Sequence, residues 1–422
     1  MSDSQIFVTI ELNGINHLVG KLWYHRRASR HSTSFTYDQS WLANPERFAL
    51  EPALSLTEGT FHSDSGKILF GSFGDSAPDR WGRVLMRRAE ALRARKLQEV
   101  PKTLSELDYL LGVNDVARQG ALRFSYNKDG DYLADPNEQN IPPFIKLTDL
   151  LAATNNYLSD KDNEAALKLL LAPGSSLGGA RPKATILDRD GSLTIAKFAR
   201  PDDEINQIKW EALALTLAKD AGLNTAKWHI ENILNQQVLL LQRFDRDAKK
   251  RIPFLSAMSM LGAKDNEPRS YLEIAYAIQQ YSAAPQQDLV ELWRRIIFTI
   301  LISNTDDHLR NHGFLYEGRA GWRLSPAYDL NPTAIVENQR ILATSINYDD
   351  PTASLVTAFE VLEEFRIQKA DAHKIVKQVL TAVLKWREVA KKLGISKQEI
   401  NYMAGSFEHE DLKLAKQKAN IS

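Results

Sequence analysis

Asn304-Thr305-Asp306-Asp307-His308-Leu309-Arg310-Asn311 is the stretch on which the reading of this chain turns. It closes a strongly periodic apolar segment. Leu289, Leu292, Trp293, Ile296, Ile297, Ile300 and Leu301 recur at helical spacing and predict a core helix over 287–302. Beyond it, His312-Gly313-Phe314-Leu315-Tyr316, a turn over 317–321 and Trp322-Arg323-Leu324 predict an antiparallel hairpin, which leads into Ser325-Pro326-Ala327-Tyr328-Asp329. A hairpin returns its two ends to each other. Asn311 and Asp329 are therefore expected side by side, with Asp306 one loop away. Taken alone, Asp306 reads as a residue that merely caps the helix end. The trio of oxygen donors at the mouth of a rigid element instead suits Mg²⁺, which takes few protein oxygens and leaves room for substrate phosphates. His308 and His312 have the spacing of a zinc pair, but no helix-borne Glu accompanies them and the context is loop-like.

The Asp-x₄-Asn spacing is that of a kinase catalytic loop, in which the Asp accepts the substrate hydroxyl proton and the Asn holds metal; an Asp after the next hairpin holds metal as well. Two upstream features agree with it. Pro173-Gly174-Ser175-Ser176-Leu177-Gly178-Gly179-Ala180-Arg181-Pro182-Lys183 is a glycine-rich segment whose backbone N–H groups could approach phosphate oxygens, although it fits neither the Walker A nor the G-x-G-x-x-G template. The hairpin after it, 184–187 and 192–197, brings Lys197 back toward that segment. Lys197 follows Leu193 and Ile195 on one strand face, an odd place for a charge without a task, and a lysine there can neutralise nucleotide phosphates. A helix over 204–220 carries Glu211 on the stripe of Ile208, Ala212 and Leu215. Lys197 is its natural partner, and a plain structural ion pair stays open. Leu239-Leu240-Leu241-Gln242-Arg243-Phe244-Asp245-Arg246 then reads as a junction strand whose backbone edge could meet an adenine, with Phe244 as apolar neighbour.

The rest of the chain sets bounds. At 422 residues it exceeds the roughly 250–300 that one core usually supports, so more than one domain is expected. Lys+Arg and Asp+Glu balance at 53 each, which argues against a surface that is globally a polyanion magnet. The absence of cysteine removes thiolate nucleophiles, thiolate zinc sites, iron–sulfur clusters and disulfides. The same lack of cysteine fits a cytoplasmic protein, and neither a signal peptide nor a membrane-length apolar run is read. The N-terminal part reads as β-rich: strands over 6–12 and 17–24 join at Asn13-Gly14, a third covers 35–37, and Leu122-Arg123-Phe124-Ser125 closes the domain. A basic helix around Trp81–Leu92 reads as a solvated face rather than a nucleic-acid contact. Further helices are expected over 147–170 and 366–405, with a fraying lysine-rich tail over 412–422.

In order, the chain offers a glycine loop with a serine, a strand lysine, a helix glutamate, a junction strand, Asp-x₄-Asn and a later Asp. Together these resemble the HipA family of bacterial serine/threonine kinases, the toxins of type II toxin–antitoxin pairs, over nearly the whole length. The segments that carry the resemblance are 74–83, 120–124, 176–183, 243–246, 304–311 and 326–329. It implies an α+β, two-lobed, protein-kinase-like fold with an added β-rich N-terminal domain and a helical C-terminal lobe. The expected divisions are 1–125 for the N-terminal domain, 126–145 for a linker, 146–245 for the small-lobe-like region, 246–405 for the catalytic lobe and 406–422 for a tail. The resemblance further implies ATP and Mg²⁺ as cofactors, Asp306 as catalytic base, His308 as support of its loop, and Asn311 and Asp329 as metal ligands. Lys197 would contact ATP phosphates, and Leu177, Gly178, Gly179, Ala180 and Lys183 would form or steady the phosphate loop. Gln242 and Phe244 would meet the adenine. Ser176, or Ser175 beside it, would be autophosphorylated, placing negative charge in the phosphate cradle and inactivating the enzyme. Implied partners are a protein substrate such as an aminoacyl-tRNA synthetase, whose modification halts charging and growth and so leads to persistence, and a helix-turn-helix HipB-like antitoxin through which DNA is met indirectly. A small-molecule kinase and a catalytically silent co-regulator docked on such an antitoxin remain the alternatives.

Overall fold

The structure is a computed structural model. It describes residues 4–419, apart from 28–29, 65, 129–130, 134–140, 142–145, 160–162, 175–178, 180 and 336–339. The chain divides into two compact units. The first holds residues 1–202 and 228–255, the second 203–227 and 256–422.

In the first unit, strands β1 (Ser4–Leu12), β2 (Ile15–Arg27), β3 (Arg30–Tyr37), β4 (Thr60–His62) and β5 (Leu122–Ser125) form an antiparallel sheet in the order β4-β3-β2-β1-β5. The tight turn works because Asn13 and Gly14 both take positive φ, 53° and 83°, which matches the twist of the flanking strands. Alternation puts Ile6, Val8 and Ile10 in the core. A second antiparallel sheet contains β6 (Lys183–Leu187), β7 (Leu193–Phe198), β8 (Trp228–Ile233) and β9 (Gln236–Gln242), in the order β6-β7-β9-β8. One of its faces, Ala184, Ile186, Ala196, Phe198, Val238 and Leu240, is buried under helices Arg80–Leu97, Leu147–Ser159 and Glu164–Gly174. Lys183, Ile195, Lys197 and Leu239 belong to the opposite face by register. The helix expected over 147–170 is thus two helices. Asn163 supplies the reason for the restart, since its Oδ1 accepts from Ala166 N at 3.0 Å as a cap does. On the basic helix Arg83 pairs with Glu106, and Arg93 with Glu90 and Glu99.

The second unit is mostly helical. Helix Gln207–Asp220 starts at Asn206, whose Oδ1 accepts from Lys209 N at 3.1 Å, three residues later than the expected 204. Helix Pro285–Ile302 carries the predicted apolar stripe as a fully buried core, with Pro285 in its first turn, where the missing N–H costs nothing. The stretch expected to be helical over 366–405 is helical as three helices, Lys369–Val383, Trp386–Lys392 and Lys397–Tyr402, with Gly394 at φ 65° between the last two. The lysine-rich end does not fray over its described length. It forms helix Glu410–Ala419, which buries Leu412, Ala415 and Ala419 and packs on Lys369–Val383. No helix among the described residues is long and apolar enough to cross a membrane.

His409, at the start of that last helix, lies 3.1 Å from Arg340. Burial, and then the like charge of Arg340, lowers its pKa to about 3. Below the ordinary value of about 6.5 the unfolded chain takes up a proton here that the folded chain refuses. Stability is complete above that value and drains as pH falls toward the folded value. The expected loss between pH 7 and pH 5 is about 2 kcal/mol. His409→Gln should flatten this part of the curve, as read by urea unfolding at the two pH values.

Candidate active site

The core helix ends because Ser303 takes a left-handed conformation, φ 54°, and Asn304 N closes back onto Thr299 O at 3.0 Å. The chain then makes a string of tight turns. His308 N donates to Asp306 O at 2.9 Å, Asn311 N to His308 O at 2.8 Å, and Leu309–Asn311 is a short 3₁₀ turn. The predicted hairpin follows as strands Gly313–Tyr316 and Trp322–Leu324, paired Phe314 to Leu324 and Tyr316 to Trp322. It is fastened to the core helix. Asp288 accepts from Arg323 Nε at 3.0 Å and from Leu324 N at 3.0 Å, and Arg295 Nη2 donates to Ser325 O at 2.6 Å.

Asp329 is brought to the loop by a tether on either side of it. Tyr328 Oη donates to Arg310 O at 2.5 Å, and Asn331 N donates to Asn304 Oδ1 at 3.4 Å. Asp329 itself has φ 56°, the left-handed region that non-glycine residues enter at a cost and often at functional sites. Its Oδ1 accepts from Asn331 Nδ2 at 3.1 Å. Asn311 is buried, and its Nδ2 donates to Asp306 O at 3.2 Å, so Oδ1 is the end of that amide left for a cation. The Asp306 side chain is exposed. Among the described residues no three His, Asp or Glu side chains stand where they could hold a metal by themselves. One Asp and one Asn are a donor set that fits a cation completing its shell with phosphates and water, as Mg²⁺ does, and that does not fit structural zinc. His308 is exposed within the loop and is one of the groups that lower the carboxyl of Asp307.

Asp307 escaped the sequence reading although it adjoins Asp306. It is fully enclosed, and its Oδ2 accepts from the Tyr271 hydroxyl, from Thr299 Oγ1 at 3.3 Å and from His312 Nε2 at 3.2 Å. Burial would raise its carboxyl, but His312 and these hydrogen bonds outweigh that and hold it below the usual range. Burial and the Asp307 charge push the Tyr271 hydroxyl well up, so it remains a donor.

The first unit holds Gly179, Lys183, Lys197, Gln242 and Phe244, while Glu211 is buried on helix Gln207–Asp220 of the second. Ser175, Ser176, Leu177, Gly178 and Ala180 lie outside the described residues. Lys183 is an anchor. Its Nζ meets Asp79 Oδ2 at 2.9 Å with both side chains buried, and its carbonyl accepts from Trp81 Nε1 at 3.1 Å. Burial raises the Asp79 carboxyl, and Lys183 pulls it back in part. Gly179 is positioned by Trp81 N, which donates to its carbonyl at 3.4 Å; at φ 99° a Cβ on it would stand 2.9 Å from Lys183 Nζ. Lys197 is half-buried on β7, opposite Lys183 on one side and Leu239 on the other. Gln242 ends β9, and Phe244 lies 6.3 Å from Phe254, ring to ring.

Within this junction segment, Arg243, Asp245 and Arg246, whose charges the sequence reading left without partners, form a buried ionic knot. Arg243 grips Asp245 with two bonds of 2.8 and 2.6 Å, and Arg246 adds a third of 2.8 Å. Gly120 N donates to the same carboxylate at 2.8 Å, and the two arginines donate to the carbonyls of Ala117, Arg118 and Gly120. Burial opposes the Asp245 charge, but Arg243 and Arg246 overcome it and hold the carboxyl far below its ordinary value. The end of β9 is thereby fixed to the loop that precedes β5.

The model of the HipA-like C-terminal domain matches residues 175–387, half of the chain, and that of the HipA N-terminal domain matches 11–105. The chain belongs to the HipA family. The HipA protein of Shewanella oneidensis MR-1, solved with HipB and operator DNA, superimposes with a TM-score of 0.63 at 14% identity, covering 98% of each chain. The expected α+β, kinase-like HipA fold is thus the one found. A Haemophilus influenzae protein named "Putative kinase" is 24% identical over 195 residues, 40% of this chain and 57% of that protein. "Putative kinase Y4mE" of Sinorhizobium fredii is 26% identical over 179 residues, 37% of this chain and 42% of the other. This HipA-family chain spans about half the length of the curated relatives it matches.

Proposed function

We propose that this HipA-family chain is an ATP- and Mg²⁺-dependent serine/threonine protein kinase, acting as the toxin of a toxin–antitoxin pair in the cytoplasm. The observation that supports the reading is that the loop carrying Asp306 and Asn311 is tied, through Tyr328 to Arg310 and Asn331 to Asn304, to the segment after the hairpin that carries Asp329. Asp306 orients the acceptor hydroxyl and takes its proton as the oxygen attacks the γ-phosphorus and the bond to ADP breaks. Asn311 Oδ1 and the Asp329 carboxylate hold the cation, which when bound supplies charge neutralisation on the phosphates. Lys197 adds positive charge for the phosphates, Glu211 supports that role, and Gln242 and Phe244 serve the adenine. Lys183, spent on Asp79, steadies the end of the glycine segment. Ser176 or Ser175 is the self-modification site.

The fold likeness to a HipA solved with HipB and operator DNA supports a HipB-like antitoxin as partner, with DNA reached through it. The external substrate is a translation component such as an aminoacyl-tRNA synthetase. The test is transfer of labelled γ-phosphate to purified aminoacyl-tRNA synthetases, one at a time, by the full chain and by Asp306→Asn. Label on a synthetase only with the unmodified chain supports the assignment. Label on small hydroxyl compounds alone would replace it with a small-molecule kinase.

A further inference from the structure

The tandem Asp306-Asp307 sets two carboxylates next to each other in sequence and in opposite surroundings. Asp306 is exposed, whereas Asp307 is 3% exposed. The three donors to Asp307 converge on one oxygen and come from three different elements. Tyr271 is the first residue of helix Tyr271–Tyr281, Thr299 lies in the last turn of helix Pro285–Ile302, and His312 stands directly before the hairpin. Between Asp306 and Asn311 the backbone is held by short turn bonds, His308 N to Asp306 O and Asn311 N to His308 O. Such a segment would be soft if nothing else held it. A buried carboxylate with its donors satisfied is rigid, because leaving any of these polar groups unpaired is costly.

We propose that Asp307 is the positioning residue of this site. By tying two helices and the hairpin to the loop, its Oδ2 sets Asp306 and Asn311 at the spacing that transfer requires. What the positioning serves rests on the kinase reading above; the positioning itself does not. The chemistry of Asp307 also separates it from its neighbour. An Asn at 307 still offers one carbonyl oxygen to the same three donors, so its loss of charge alone should matter little.

The test uses the full chain with Asp307→Ala, Asp307→Asn, Tyr271→Phe and Asp306→Asn. It reads γ-phosphate turnover from Mg-ATP, the KM for ATP, and hydrogen exchange of the amides over 304–312. Asp307→Ala is expected to lower turnover about 10²-fold, the scale of a small misplacement of reacting groups, with KM little changed and faster exchange confined to the loop. Asp307→Asn should stay within about tenfold of the unmodified chain, whereas Asp306→Asn should lose turnover with loop protection intact. Should Asp307→Ala fail to fold, Tyr271→Phe, which removes one donor, should still slow turnover and loosen the loop selectively. Unchanged turnover and exchange in these variants would overturn the proposal. So would Asp307→Asn being as inactive as Asp306→Asn, which would put Asp307 in the chemistry itself. A chain without any turnover would sink the kinase reading, and the exchange comparison would still decide whether Asp307 holds the loop.

Discussion

Asp306→Asn is expected to reduce phosphoryl transfer by about 10²–10⁴-fold while the fold and the affinity for Mg-ATP stay as they were. The asymmetry follows from where the side chain stands. The Asp306 carboxylate is exposed, whereas its backbone carbonyl is the atom that receives His308 N and Asn311 Nδ2. The substitution removes the base and leaves the turn. An exposed change of this kind moves stability by no more than about 0.5 kcal/mol. Turnover kinetics with labelled ATP, beside calorimetric nucleotide binding and a thermal melt, separate the three quantities. A melt that falls together with activity would mean that Asp306 is a helix-capping residue, the plain reading that its sequence position alone allows.

Asp245→Ala carries the second large effect, in the first unit and on stability. It leaves Arg243 and Arg246 buried with their positive charges uncompensated, and it strips Gly120 N of its acceptor. Breaking a buried ion pair from one side costs about 3–5 kcal/mol. A whole domain is stable by only about 5–15 kcal/mol, so unfolding of the first unit should shift to much lower urea. Arg243→Lys should lie close to it. The guanidinium spends its fork on Asp245 and on two backbone carbonyls at once, a geometry that an ammonium cannot reproduce. Because the Asp245 carboxyl is held far below its ordinary value, its contribution is present above the usual carboxylate range and is lost only as pH falls through its depressed folded value. Acid sensitivity near pH 5–6 belongs to His409 instead.

Much of this organisation is legible in the residues. The core helix, the hairpin after it, the Asn13-Gly14 turn and the strands around it all follow from local periodicity and turn chemistry, which a single sequence carries in full. A hairpin of known length also fixes where its ends meet, and the residue before Asp329 is indeed tied to the one before Asn311, by the bond from the Tyr328 hydroxyl to Arg310 O. What stayed hidden depends on distant partners. Asp307 looked like a duplicate of Asp306 because its three donors lie at 271, 299 and 312. The bonding of Arg243 and Arg246 was invisible because the carbonyls they reach belong to 117–120, more than a hundred residues away. Lys183 could be assigned to a phosphate loop, but its engagement with Asp79 could not be foreseen. The helical tail was misjudged from its lysines; the small apolar positions Ala415 and Ala419, which pack it, carry little weight in a hydropathy pattern.

The most direct measurement is intact-mass and peptide mass spectrometry of the full chain after incubation with Mg-ATP, beside Asp306→Asn and a sample in which EDTA removes the cation. The account predicts phosphate on Ser175 or Ser176 of the unmodified chain alone. Phosphate appearing equally on Asp306→Asn, or its absence everywhere together with no thermal shift on adding Mg-ATP, would contradict it.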